Sequence, residues 1–333
     1  QLYSAYALEN QRSDTGLRGQ RGNLSGGFKS RYTDTVSIYG EERYAYGDQP
    51  VGLTHAYGVD LAPTDQWNIG MSAETGKLRN PVGSSIRRLA LGLNLGYSFE
   101  KIKYAGAVEY RDDKSSSNDR VTWLLRNQMT YQNTEDWRTI AKLNWSQSES
   151  SQGEFFDGDF TEAIWGYGYR PVDNDRINTL LKYTYFFNKP APEQVSTQNT
   201  NSDFIQRSHI LSGDLSYDMT QRWTVGGKYA YRLGELAASR VNPESFPSRA
   251  HLLVLRADWH VVKHWDFLIE GRMLELTDAE DRRSGFLTGI YRHVGNQLKR
   301  GVGYNGTDFS DDLTDLSFDR QGIFITMIGT ISS

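Results

Sequence analysis

The sequence predicts an all-β protein: one antiparallel transmembrane β-barrel of about 18 strands (16–20), with short periplasmic turns and longer extracellular loops, occupying residues 1–333 as a single domain. Three observations lead there. Segments of about ten residues alternate apolar and polar at period two. A short polar turn ending in Trp recurs four times, as TDQW (64–67), TEDW (134–137), TQRW (220–223) and VKHW (262–265). The connections also come in two alternating lengths, as they do when one rim carries tight turns and the other carries loops.

Each of those tryptophans opens a single-faced strand. Trp67, Ile69, Met71 and Ala73 fall on one side, as do Trp137, Thr139, Ala141, Leu143 and Trp145, then Trp223, Val225, Gly227, Tyr229 and Tyr231, then Trp265, Phe267, Ile269, Gly271 and Met273. The strands leading into the turns alternate as well, with Leu89, Leu91, Leu93, Leu95, Tyr97 and Phe99 opposite Ala90, Gly92, Asn94, Gly96 and Ser98. Lipid outside and water inside is the arrangement that such strands serve. Propellers and large sandwiches repeat strands at a similar spacing, but here Tyr and Trp stand at strand ends with Leu, Ile, Val, Ala and Gly between them, as a band flanked by aromatic girdles requires. Trp67, Trp137, Trp223 and Trp265 are therefore expected in one ring at the periplasmic interface. Short turns are expected near Thr33, Thr64, Glu100, Thr134, Val172, Thr220, Lys263 and Gly295, and outward loops at 115–120, 146–158, 190–204, 237–248 and 307–321. Both ends should lie in the periplasm, with 3–8 pairing with 323–328.

Composition agrees with this reading and removes others. Tyr 20, Trp 8 and Gly 32 against Pro 8 favour strands and interfaces. The mean hydropathy of -0.62 and the lack of an apolar run of about 18 residues exclude helical spans. Cys is absent, which removes disulfides and thiolate metal sites. A net charge of -4 gives no basis for nucleic-acid binding. The opening QLYSAYALE does not read as a leader, so export is inferred from the pattern alone.

Taking the face opposite the lipid stripe assigns Arg88, Lys103, Arg111, Arg126, Arg138, Lys142, Arg170, Lys182, Lys228, Arg232, Arg256, Arg272 and Lys299 to the lumen, with Glu109, Glu162, Asp214, Asp258, Asp266 and Glu270 as acidic companions. Bases exceed acids about two to one, which predicts mild anion preference in a water-filled lumen. The residues expected to line the pore are Arg88, Lys103, Glu109, Arg126, Arg138, Lys142, Lys182, Lys228, Arg256, Asp258, Glu270 and Arg272.

Enzymatic candidates are weak. Asp258 and His260 share a strand face, which looks like half of the site in outer-membrane aspartyl-type proteases, but they stand at the periplasmic end, away from the outer rim where those proteases work. His209, His251, His260, His264 and His293 carry no nucleophile motif. Asp308, Asp311, Asp312 and Asp315 lack the spacing of a dedicated calcium loop. No cofactor, metal or catalytic residue is expected.

The segment 292–329, RHVGNQLKRGVGYNGTDFSDDLTDLSFDRQGIFITMIG, resembles the terminal hairpin of the outer-membrane barrels that close large multidomain bacterial surface proteins, most specifically over GVGYNGTDFSDDLTDLSFD. It departs from them at Gly306, where an aromatic is expected, and at Ser332 and Ser333, where a barrel-assembly signal ends in Phe or Trp. The resemblance implies a membrane anchor or translocation barrel for an N-terminal extracytoplasmic portion. The pattern alone implies an outer-membrane porin or export channel; a sheath around a multihaem protein has only pore size in its favour. A leader directly before Gln1 would favour the porin, and hundreds of upstream residues the anchor; a TonB-dependent receptor would carry a plug ahead of its barrel. The partners expected are outer-membrane lipid and lipopolysaccharide, the barrel-assembly machinery during biogenesis, and a plug or N-terminal domain.

Overall fold

The computed structural model describes residues 1–12, 18–47, 50–79, 83–116, 118–191, 205–237, 240, 243–262, 264–294, 298–311, 313 and 321–329. Eighteen strands account for nearly all of them. The first nine are β1 (Leu2–Arg12), β2 (Arg18–Arg31), β3 (Val36–Gly47), β4 (Val51–Thr64), β5 (Trp67–Arg79), β6 (Ser85–Phe99), β7 (Ile102–Ser115), β8 (Arg120–Gln132) and β9 (Trp137–Ser150). The second nine are β10 (Gly158–Tyr169), β11 (Ile177–Lys189), β12 (Ile205–Thr220), β13 (Trp223–Ala237), β14 (Ser245–Val262), β15 (Trp265–Leu276), β16 (Asp281–Val294), β17 (Leu298–Asn305) and β18 (Gly322–Gly329). The only helical elements among the described residues are two three-residue turns, Glu154–Phe156 and Thr277–Ala279.

Every strand pairs antiparallel with the next in sequence, from β1–β2 through β17–β18. This meander follows from the sequence: each alternating run is followed by a turn short enough to fold it back onto its predecessor. The register keeps the two faces separate across the whole sheet. Leu91 faces Ala73 and Tyr110, for example, while its neighbour Gly92 faces Ser72 and Glu109. A slip of one residue would put the charged set into lipid, which is why the pattern fixes the pairing.

The outer face is apolar and uncovered. Leu89, Leu91 and Leu93 are 44–49% exposed, and Leu181, Leu211, Leu255 and Ile269 are 51–62% exposed. So continuous a belt of bare leucine is stable only against hydrocarbon. The tight turns expected near Thr33, Thr64, Glu100, Thr134, Val172 and Thr220 lie on one rim, each joining an even-numbered strand to the odd-numbered strand that follows it. Of the turn centres, Lys263 and Gly295 lie outside the described residues, as do Asp312, Asp315, Ser332, Ser333 and most of 190–204.

Two expectations fail. No ladder among the described residues joins β18 to β1, so 3–8 and 323–328 are not paired. Ile323, Ile325 and Met327 on the last strand are correspondingly 73–83% exposed, because an edge strand has a neighbour on one side only. In hydrocarbon such an edge leaves N–H and C=O groups unsatisfied at several kcal/mol each, so a membrane-spanning state requires the seam to close. The second failure is the 307–321 connection. Its described part folds onto the charged face of the sheet, against β12–β14, instead of reaching outward. β17 and β18 are only eight residues long beside a fourteen-residue β16, so the chain leaves the wall partway up.

Candidate functional site: the inner face of the sheet

All twelve residues expected to line a pore fall on the face opposite the leucine belt. Neighbouring strands show this pair by pair, as in Arg126 with Ala107 and Asn144, Lys142 with Gln128 and Ile164, Lys182 with Gly166 and Ser212, and Lys228 with Asp214 and Val254. Arg256 faces Gly226 and Glu270, Asp258 faces Thr224, and Arg272 faces Val254 and Gly285. Arg88, Lys103, Glu109 and Arg138 share the same side through Asp113, Ser98, Gly92 and Gln132. Arg170 is the exception: it lies in the turn after β10, where it donates to Asp175 at 2.8 Å.

Sequence alone could not assign partners to these charges, because a partner is set by register and rotamer. Over β2–β7 the wall is ion-paired. Lys29 meets Asp60 at 2.8 Å, Arg43 bridges Glu41 and Glu74, Arg88 holds Asp113 through both Nε and Nη2 at 2.7 and 2.8 Å, and Arg111 holds Glu109 at 2.6 Å. A recess of about 390 Å³ opens between Glu41, Arg43, Glu74 and Arg88. Glu41, Asp60, Glu74 and Asp113 were absent from the sequence assignment, so the two-to-one excess of bases shrinks once these acids of β3–β5 and β7 are included. Further round, Lys142 pairs with Glu162, Arg256 with Asp258, and Arg272 with Glu270.

Among the described residues Arg126, Lys182 and Lys103 form no ion pair, and the partners of Lys228 and Arg232 are backbone carbonyls and a serine hydroxyl. On this face Asp214 and Asp218 are acids left without a cation among the described residues, Asp218 accepting only from the Thr224 hydroxyl at 2.5 Å. Cancelled pairs contribute little field at a distance, so the field of this face comes mainly from the cations on β7–β13 without acid partners and from Asp214 and Asp218.

Asp258 and His260 do not act on each other. Asp258 takes both its bonds from Arg256, and His260 Nδ1 lies 2.6 Å from Asp266. Asp266 is the centre of a different cluster at the short-turn rim, with His293 and Lys299 each at 2.7 Å. Among the described residues no group of His, Asp and Glu has the geometry to hold a metal.

The inward segment rests on an apolar saddle. Phe309 and Leu313, 3% and 5% exposed, pack with Ile210, Ala230, Ala250, Leu252 and Val254, all on the inner face of β12–β14, and Leu274 and Leu276 of β15 adjoin them. Thr307 is fully buried against Gly285, where a Cβ would come within 2.6 Å of its hydroxyl. The wall also binds the segment by hydrogen bonds: Lys228 Nζ donates to the Asp311 carbonyl at 2.6 Å and Arg232 Nη1 to the Leu313 carbonyl at 3.1 Å. Lys228 is five residues from Trp223 along a tilted strand, a rise of about 12 Å, so the segment reaches roughly the middle of a ~25 Å band. Gly306 is explained here too, since a Cβ would meet the Phe286 ring at 2.9 Å. The sequence did carry a signal for this docking, because β14 reads HLLVL with apolar residues on both faces.

At the short-turn rim, Trp67, Trp137, Trp223 and Trp265 are each the first residue of an odd-numbered strand and lie on the outer face. Trp67 packs on Tyr97 with centroids 4.6 Å apart, Trp137 on Tyr167 and Tyr169, Trp223 on Trp259 at 5.3 Å, and Arg292 lies over Trp265. Trp259 thus joins the ring, unassigned until β13 and β14 are placed in register. Single-Trp variants retaining Trp67, Trp137, Trp223 or Trp265 should report one common depth near the headgroups when quenched by lipids brominated at different carbons. A spread of more than about 12 Å, half the usual band, would contradict a common ring.

An eighteen-stranded meander with a bare apolar outer belt, a charged inner face and an aromatic rim defines the chain as a transmembrane β-barrel of the bacterial outer membrane. Solved structures share the fold. The copper transporter OprC superposes with a TM-score of 0.54 at 9% identity, covering 98% of this chain and 66% of its own. The FrpB iron transporter from Neisseria meningitidis gives 0.52 at 9% identity (91% and 64%), and the ferric yersiniabactin uptake receptor FyuA from Yersinia pestis gives 0.50 at 11% identity (98% and 67%). The chain spans about two thirds of the length of these structures. No family model and no curated protein matches it.

Proposed function

We propose that the chain forms an aqueous pore across the outer membrane, mildly anion-preferring and narrowed at mid-depth by the inward segment around Phe309 and Leu313. The observation that carries this reading is the inner face itself: a charged wall needs water, and among the described residues its five cations without acid partners, Lys103, Arg126, Lys182, Lys228 and Arg232, outnumber the unpaired acids Asp214 and Asp218. The reading is one of passive transport, with no catalytic group engaged and no cofactor invoked. Liposome swelling tests it: vesicles carrying the refolded chain should swell in isosmotic solutions of small neutral solutes at rates that fall with solute size. Swelling no faster than that of empty vesicles would count against a pore.

A membrane anchor or translocation barrel for an N-terminal portion is the second reading. It is favoured by one observation, that GVGYNGTDFSDDLTDLSFD, the stretch most similar to such barrels, is the stretch that supplies Thr307, Phe309 and Leu313 to the lumen. Lipopolysaccharide, the assembly machinery and an N-terminal domain or plug belong to this proposal as partners.

A further inference from the structure

Three cations stand side by side on the outer, lipid-directed face. Lys77 on β5 is directly opposite Arg87 on β6, and Arg87 is directly opposite Lys114 on β7. All three are exposed, and Arg79 stands one step farther out. Directly opposed side chains of a sheet have Cβ atoms about 5 Å apart, a spacing at which like charges destabilise the pairing. The nearby acids are Asp112, 3.4 Å from Lys114; Asp119, which accepts from the Ser115 N–H at 3.1 Å; Glu149, opposite Val121; and Glu42, which lies 2.7 Å from His55. Among the described residues none of them forms an ion pair with Lys77 or Arg87, so this end of the row is where an external anion would be held.

Its height identifies the anion. Lys77 is ten residues from Trp67 along β5, which at ~3.3 Å per residue and the usual tilt is a rise of about 25 Å, the full height of an apolar band. Below the row the outer face reads Thr75, Leu89, Asp112, Val121 and Glu149, and the row beneath that is Ala73, Leu91, Tyr110 and Trp123. The cations therefore sit at the hydrocarbon boundary of the long-loop rim, with surface suited to acyl chains beneath them. From this juxtaposition we propose that Lys77, Arg87 and Lys114 form a binding site for the phosphate of an outer-leaflet lipopolysaccharide, its acyl chains lying along Leu89, Leu91 and Trp123. The proposal rests on the outer-membrane reading and on the long-loop rim facing the cell exterior.

The chain refolded in detergent, titrated with bis-phosphorylated lipid A and followed by native mass spectrometry, should retain at least one lipid. Affinity for lipid A with both phosphates removed should be lower by about tenfold or more, and the triple variant K77Q/R87Q/K114Q should bind the phosphorylated form about a hundredfold more weakly, as loss of three charges at a membrane surface implies. R249Q, whose charge is already matched by Asp278 at 2.6 Å, should bind as the parent does. Equal retention of phosphorylated and phosphate-free lipid, unchanged binding by the triple variant, or an equal loss in R249Q would each overturn the site. Insertion into phosphatidylcholine vesicles, which contain no lipid A, tests the barrel reading separately, so the two failures are distinguishable.

Discussion

Replacing Phe309 and Leu313 together by Asp should raise the single-channel conductance roughly twofold or more, because the segment that narrows the lumen loses its anchor. Each buried side chain contributes about 3 kcal/mol to docking, and a buried carboxylate on the saddle of Ile210, Leu252 and Val254 adds a desolvation penalty. The docked state should then be a minor one. Heat-modifiable migration of the variant should stay that of the parent, since the wall itself is untouched. Unchanged conductance in a folded variant would show that the segment does not obstruct the permeation path. Lys228 and Arg232, released from the Asp311 and Leu313 carbonyls, would at the same time face water, so the wider pore should also favour anions more.

The second large effect concerns charge. Converting Arg126 and Lys182 to Glu should move the reversal potential in a KCl gradient from the anion side to the cation side, since among the described residues no acid pairs with these two cations. The effect should be clear in dilute electrolyte and fade as salt rises, because screening acts over about 8 Å at physiological ionic strength. Arg256 and Arg272, also expected to line the pore, are poorer choices because each is ion-paired. Arg272 is tied to Glu270 and both side chains are about nine-tenths buried, so its loss leaves a buried carboxylate uncompensated at about 3 kcal/mol and would be read as instability. A double Arg126 and Lys182 variant that keeps the parent's reversal potential would place the permeation path elsewhere.

The strands, their number, the tight turns within the described residues and the sheet face taken by residues such as Arg126 and Lys182 were legible in the sequence, because a one-residue slip would carry Arg126 or Lys182 to the leucine face. The charge partners were not. Arg43 lies between Glu41 and Glu74 from two strands, and no period in the sequence encodes that. The inward turn of the 307–321 connection escaped for a related reason: Phe309 and Leu313 are lone apolar residues in a polar stretch, and their meaning depends on a saddle on β12–β15 far away in sequence. The doubly apolar stretch of β14 was the one local hint. The pairing of first and last strands was inferred from closure alone, with no turn or repeat to fix it, and the ladder stops short of it.

The central claim is a water-filled, anion-preferring lumen, and the reversal potential of the unmodified chain in a planar bilayer tests it most directly. With dilute KCl on one side and a tenfold higher concentration on the other, discrete channels should appear and the zero-current potential should carry the sign of chloride preference. A potential of the opposite sign would contradict the assignment of the uncancelled cations to the permeation path, and an absence of channels from inserted protein would contradict the pore.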